Sequence, residues 1–390
     1  MLTFIAFAAF AAWGWLTLLR GGFWRAGERL ADKPDPESWP GVVAIIPARD
    51  EAETIGDIVR AHMAADYPGN LTVIVIDDGS TDGTADIARA AASGSARELE
   101  IVTAPPLPEG WTGKLWAVDN GLRRAKEIAP DAKYALLADA DIALARDTLS
   151  RLVAKAEDEN LALASLMARL DARGPWASFL IPAFIYFFQK LYPFPRANDP
   201  DDNMAAAAGG CMLARRDAID GIGGIARIRH ALIDDCAFAK AIKDLTPSTK
   251  IWIGLASDEA ISLRDNRELS SIWNMVARTA YAQLHYSPLL LAGTVLGMAL
   301  VYLAAPLIFL TAFWHWNLAA LFYAAVACAL MGYTYWPTLR LYGRAPWEAA
   351  LQPIAAGLYT AMTISSALRH RRGEGGQWKG RTYSSSAVNQ

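Results

Sequence analysis

Tyr134-Ala-Leu-Leu-Ala-Asp139-Ala-Asp141 decides the reading of this chain. Its apolar half has the length and composition of a buried strand. Two carboxylates two residues apart, just past a strand, point the same way and can share one divalent cation. Two segments upstream have the same build. Ile45-Ile-Pro-Ala-Arg-Asp-Glu51 and Val75-Ile-Asp-Asp-Gly-Ser80 each run from an apolar strand into acidic residues. Around them the pattern predicts strands over 41–46, 70–76, 98–103 and 134–138, with helices over 51–64, 84–92 and 114–128. Such alternation implies an α/β fold, a mostly parallel sheet with helices on both faces. Ligands of these sheets bind beyond the carboxyl ends of the strands, where all three acidic segments lie.

Composition narrows the class. Of 390 residues, 53% are apolar and 20% charged, a tilt away from the soluble average that fits a soluble domain with membrane segments attached. The net charge of −3 supplies no global basic field, so nucleic acid is not an expected partner. Cys211, Cys236 and Cys328 have neither CxxC nor metal-site spacing, which suggests a reducing compartment without disulfides.

Both ends of the chain read as membrane-directed, so transmembrane helices are expected at each. Residues 1–20 are apolar up to Arg20, with Arg25 and Arg29 following; this suits a retained anchor whose C-terminal end faces the cytosol. Residues 21–40 read as a linker and 41–286 as the α/β domain that carries the acidic strand ends. Residues 287–368 form a membrane region, with spans near 288–313 and 316–339. Arg340 and Arg344 place the loop after the second span inside. A third segment, 349–368, has basic flanks on both sides and reads as re-entrant or interfacial. Residues 369–390 form a basic cytosolic tail. The aromatic run 176–192, interrupted by Pro182, reads either as an interfacial helix over a lipid or as a core helix.

The strand-end segments carry the chemistry. A carboxylate from Asp77-Asp78 can accept an N–H such as that of a nucleobase, which only an acceptor satisfies. Gly79 and Gly83 allow tight turns. Gly110-Trp-Thr-Gly113-Lys114 lacks the Walker spacing, yet it places Lys114 at a helix N-terminus, where phosphate is stabilised. Hard oxygen ligands at Asp139 and Asp141 imply Mg²⁺ or Mn²⁺. Gly209, Gly210 and Cys211 form a small-residue segment that lets a ligand approach the backbone. A buried Cys behaves as a small hydrophobe, so Cys211 is not read as a nucleophile. Asp234-Asp235 opens an apolar-periodic helix, where Asp234 suits an N-cap.

Together these segments resemble the family 2 glycosyltransferases of the GT-A fold, a mixed, mostly parallel sheet that binds nucleotide sugars. The resemblance covers roughly residues 41–285. Leu107-Pro-Glu-Gly-Trp-Thr-Gly-Lys-Leu-Trp116 and Trp378-Lys-Gly-Arg381-Thr-Tyr383 look most like the hopene-associated members, and also like carotenoid glycosyltransferases. It implies donor contacts from Pro47, Arg49, Glu51, Asp77, Asp78, Lys114 and Asp139, a metal on Asp141 and Asp139, and an acceptor side at Gly209, Gly210 and Cys211. Asp235 matches the catalytic base, beside Asp234. Arg278 takes the place of a phosphate-gripping Arg, but the Gln-x-x-Arg-Trp of processive members is incomplete, which argues for single-sugar transfer. The tail, with Trp378 and Arg381, either folds back on the donor site or meets anionic lipid.

The implied reaction is inverting transfer of one sugar, from a UDP-sugar, to a hydroxyl of a membrane lipid such as a hopanoid. The implied location is the bacterial-type inner membrane, multi-pass, with the catalytic domain in the cytoplasm. Polyprenyl-phosphate, carotenoid or glycerolipid transfer, and a non-catalytic membrane scaffold, are the alternatives.

Overall fold

The computed structural model describes residues 1–374. They fall into two compact units. One contains Glu28–Asp171 and Arg196–Arg264; the other contains Met1–Gly27, Ala172–Pro195 and the residues from Asp265 on.

The first unit is built on strands β1 (Val42–Ala48), β2 (Leu71–Asp77), β3 (Leu99–Thr103), β4 (Tyr134–Ala138), β5 (Ile142–Leu144), β6 (Leu161–Met167), β7 (Cys211–Arg215), β8 (Lys250–Leu255) and β9 (Ala260–Ser262). Seven of them form one sheet in the order β3-β2-β1-β4-β7-β6-β8. β7 runs antiparallel to β4 and β6, and the remaining pairs are parallel. The sheet is therefore mixed and mostly parallel. β1, β4 and β6 are buried along their whole length, as apolar runs covered on both faces must be. On one face Ile55, Ile58, Leu149 and Leu152 join the core; on the other, Leu115, Val118, Leu122, Phe238 and Ile242 do so. Helix Gly113–Ile128 lies tight against β1. A Cβ on Gly121 would come within 2.4 Å of Ile45 Cγ2.

Register aligns the strand ends that carry the acidic segments. Ala48 sits beside Asp77, and Asp77 beside Thr103. A separate ribbon pairs β5 with β9, Ile142 opposite Ser262. The helix after β1 begins at Ile55 rather than Glu51. The intervening residues are tied to the next loop instead: Glu51 N–H donates to Thr84 Oγ1 at 2.9 Å and Ala52 N–H to Asp82 Oδ2 at 2.9 Å.

The second unit is helical. Pro288–Leu310 and Leu318–Leu341 are long and apolar enough to cross a membrane, by length and composition. The N-terminal helix, Leu2–Leu18, has 17 residues. It is about 26 Å long, short of a bilayer core of about 30 Å. Among the described residues, helices of spanning length therefore lie in the C-terminal region and not at both ends. The third apolar segment forms a helix over Gln352–Arg371, held by hydroxyls: Trp273 Nε1 donates to Ser365 Oγ and Tyr359 Oη to the Leu180 carbonyl. The aromatic run forms helix Pro175–Leu191, whose Ala177, Leu180, Ile181 and Tyr186 are buried; within this unit it packs as a core helix.

Candidate active site

The site lies in the sheet-containing unit, at the carboxyl ends of β1, β2 and β4. Its first wall is the pair of loops after β1 and β2. Asp50 adopts φ +48°, an uncommon conformation tolerated by short polar side chains. Its backbone N–H donates to Ser80 Oγ at 3.0 Å, and its Oδ1 accepts from Thr81 N–H at 2.8 Å. Asp82 Oδ1 accepts from Thr84 N–H at 3.0 Å. These bonds fix the two loops to each other. Asp77 Oδ1 accepts from Ser80 N–H at 3.1 Å, and Gly79 and Gly83 take the positive φ values that the tight turn needs. Arg49 donates to the Asp78 carbonyl, with the Asp78 carboxylate 3.9 Å away. Asp77 and Asp78 are both buried.

Lys114 opens helix Gly113–Ile128 and occupies the centre. Its Nζ lies 2.8 Å from Asp139 Oδ1 and 3.2 Å from Asp234 Oδ2. Pro47, Leu137, Gly209, Met212 and Phe238 line the same small recess. Burial works against the lysine's charge, but Asp139, Asp234 and Asp235 outweigh it and raise its pKa. Asp139 is raised in turn by burial, with Lys114 opposing and Asp141 adding repulsion. Asp235 is pushed up to about 6 by burial and by Asp234, with Lys114 pulling the other way. Its Oδ2 accepts from Gly209 N–H at 3.1 Å and its Oδ1 from Cys236 N–H at 2.7 Å. Each oxygen retains a second lone pair.

The glycines serve close approach inside the protein. A Cβ on Gly209 would stand 3.2 Å from Lys114 Nζ and 3.5 Å from Asp235 Cβ, and one on Gly210 would stand 2.9 Å from Ile142 Cγ1. The room that the sequence suggests for a ligand is taken at Gly210 by a core side chain. Cys211 is fully buried in the core, and burial pushes its thiol up to about 12. It is inert and presents no surface to an acceptor, a correction to its place on the acceptor side. Arg278 belongs to helix Leu269–Thr279 of the helical unit. Trp378 and Arg381 lie outside the described residues.

The residue that sequence reasoning misses is Arg264. Its Nε lies 3.0 Å from Asp141 Oδ2, and its guanidinium lies 4.0 Å from Glu51 Oε1. The β5–β9 ribbon brings it there: Leu263 N–H donates to the Asp141 carbonyl at 2.8 Å. Burial works against its charge, while Asp141, Glu51 and Asp139 raise its pKa. The three-residue strand Ala260–Ser262 that positions it is too short to carry a periodic signal in the sequence.

Asp139 and Asp141 fit a hard divalent ion. They supply carboxylate oxygens, and Mg²⁺ is commonly held by one or two carboxylates plus substrate phosphates. Among the described residues no group of three His, Cys, Asp or Glu side chains is placed to hold an ion. Protein ligands alone therefore do not complete a cage, and a diphosphate would supply the rest.

The site is thus a mixed, mostly parallel sheet whose acidic strand ends surround a Lys-centred carboxylate cluster. The sequence pattern of glycosyl transferase family 2 matches residues 43–223, a little under half of the chain. An N-acetylglucosaminyltransferase of Mesorhizobium japonicum is 32% identical over 142 residues, 36% of this chain and 31% of that protein. The match thus spans about a third of that curated relative. A mannosyltransferase of Pyrobaculum calidifontis, solved with GDP-Man and Mn²⁺, has a similar fold at TM-score 0.54 and 23% identity, covering 95% of this chain and 98% of that one. Glucosyl-3-phosphoglycerate synthase of Mycobacterium tuberculosis aligns at TM-score 0.42 and 17% identity, over 63% of this chain and 80% of that one.

Proposed function

We propose that the protein moves a single sugar from a UDP-sugar to a hydroxyl of a membrane lipid, a hopanoid, with inversion at the anomeric carbon. The observation that carries this reading is the grouping of Asp139, Asp234 and Asp235 around Lys114 in one recess. It offers a diphosphate-side pair and a base-side pair at one strand end.

Asp235 takes the proton of the acceptor hydroxyl as that oxygen bonds to the anomeric carbon. The bond from that carbon to the diphosphate oxygen breaks, and the electron pair leaves with UDP. Gly209 N–H and Cys236 N–H hold the carboxylate in place. Asp77 accepts from the base, and Lys114 approaches the diphosphate. Asp139 and Asp141 would hold Mg²⁺ or Mn²⁺, which when bound offsets the charge that grows on the departing diphosphate. The similarly folded mannosyltransferase was solved with a nucleotide sugar and Mn²⁺, which supports that choice.

The lipid acceptor rests on the two helices of spanning length and on the motif resemblance, as does a cytoplasmic site at the inner membrane. Full-length protein in lipid nanodiscs, given Mn²⁺, a panel of radiolabelled nucleotide sugars and hopanoid-containing lipids, tests the reading. Label in one hopanoid supports it. Label only in a polyprenyl phosphate replaces the acceptor, because that acceptor needs no deprotonation by Asp235.

A further inference from the structure

Both carboxylates of the Asp139-Ala-Asp141 pair are already engaged by cations of the protein itself. Lys114 Nζ sits 2.8 Å from Asp139 Oδ1, and Arg264 Nε sits 3.0 Å from Asp141 Oδ2. Neither contact is incidental. Lys114 is fixed by the first turn of its helix and by Asp234 at 3.2 Å. Arg264 is brought to Asp141 by the β5–β9 pairing and by the Leu263–Asp141 backbone bond at 2.8 Å. A divalent ion reaching this pair therefore meets a positive side chain on one oxygen of each carboxylate.

We propose that Arg264, with Lys114, holds the aspartate pair closed to a free metal ion and releases it when a nucleoside diphosphate arrives, so that metal and donor bind as a unit. The inference rests on the donor-binding reading above. A cation displaced from a partly buried carboxylate is costly unless it finds another anion. A free metal ion offers none and adds repulsion. The diphosphate offers oxygens that a guanidinium binds in bidentate fashion. Arg264 is suited to the exchange: its side chain is 42% exposed, against 11% for Asp141, so it has room to swing while the aspartate stays. Glu51 Oε1 stands 4.0 Å from Arg264 Nη2, and it keeps a partner for Arg264 near the loop after β1. Arg264 is thus a positioning residue for the ion and a direct ligand of the donor.

The two halves of this role have opposite signs, which separates it from a merely structural one. Mn²⁺ binding to the full-length protein in nanodiscs would be followed by electron paramagnetic resonance, with and without UDP, in wild type, Arg264→Gln and Arg264→Lys. For Arg264→Gln the expected result is about tenfold tighter Mn²⁺ binding without UDP, and about tenfold weaker UDP binding in the presence of Mn²⁺. Arg264→Lys keeps the wild-type order. Unchanged or weaker Mn²⁺ binding without UDP in Arg264→Gln overturns the inference, as does weakening of both ligands together. Failure of the donor reading itself looks different, because wild type would then bind no UDP with or without Mn²⁺.

Discussion

The carboxylate of Asp235 is held at 3.1 Å by the backbone N–H of Gly209, a residue whose missing side chain also leaves room for Lys114 Nζ. One glycine therefore sets the position of the proposed base and of the cation that tempers it.

The pH dependence follows from that base. Asp235, raised to about 6 by burial and by Asp234, accepts a proton only when ionised. kcat/KM should fall as pH drops through about 6, in proportion to the ionised fraction, and flatten above it. A pH–rate profile for the free enzyme reads this group directly. An acid limb near 4 would mean that an unperturbed carboxylate governs the reaction.

Lys114 lowers the Asp235 pKa by its charge. In Lys114→Met the acid limb should shift to higher pH, and the KM for the donor should rise. A rise in KM with no shift of the limb would confine Lys114 to the diphosphate. The variant also leaves three carboxylates without their shared cation, so its urea midpoint should fall.

Gly209→Ala places a methyl group 3.2 Å from Lys114 Nζ and 3.5 Å from Asp235 Cβ. The lysine end can give way, so the fold should survive while kcat drops about tenfold to a hundredfold through misplacement. Circular dichroism would remain near wild type. Full activity would show that the spacing is not used in catalysis.

Gly121→Ala tests packing alone. Its Cβ would meet Ile45 Cγ2 at 2.4 Å between a core helix and β1. Overpacking of this kind costs about 1–3 kcal/mol, read as a lower denaturation midpoint. An unchanged midpoint would mean that the helix can lift from the sheet without cost.

The sheet was legible because its strands are apolar runs that end in chemistry. Tyr134–Ala138 is β4 residue for residue, and β1 and β2 differ from expectation by two residues at most at either end. The start of the helix after β1 was not legible, since Glu51 and Ala52 give their N–H groups to Thr84 and Asp82 of a different loop. Arg264 escaped for the same reason. Its role depends on a short ribbon between segments far apart in sequence, and three-residue strands carry almost no periodicity. Cys211 was misplaced because small residues beside a glycine pair look the same whether they face a ligand or the core. The N-terminal helix has the right composition for a membrane but is a turn or more short of the two C-terminal ones.

The central claim is that Asp141 and Asp235 serve donor and proton transfer within one site. The most direct test compares wild type, Asp141→Asn and Asp235→Asn in nanodiscs, measuring UDP binding with Mn²⁺ alongside sugar transfer to lipid. The account predicts that Asp141→Asn loses both, whereas Asp235→Asn keeps UDP binding and loses about a hundredfold or more of kcat. Transfer at the wild-type rate by Asp235→Asn, or UDP and Mn²⁺ binding unaffected by Asp141→Asn, would contradict it.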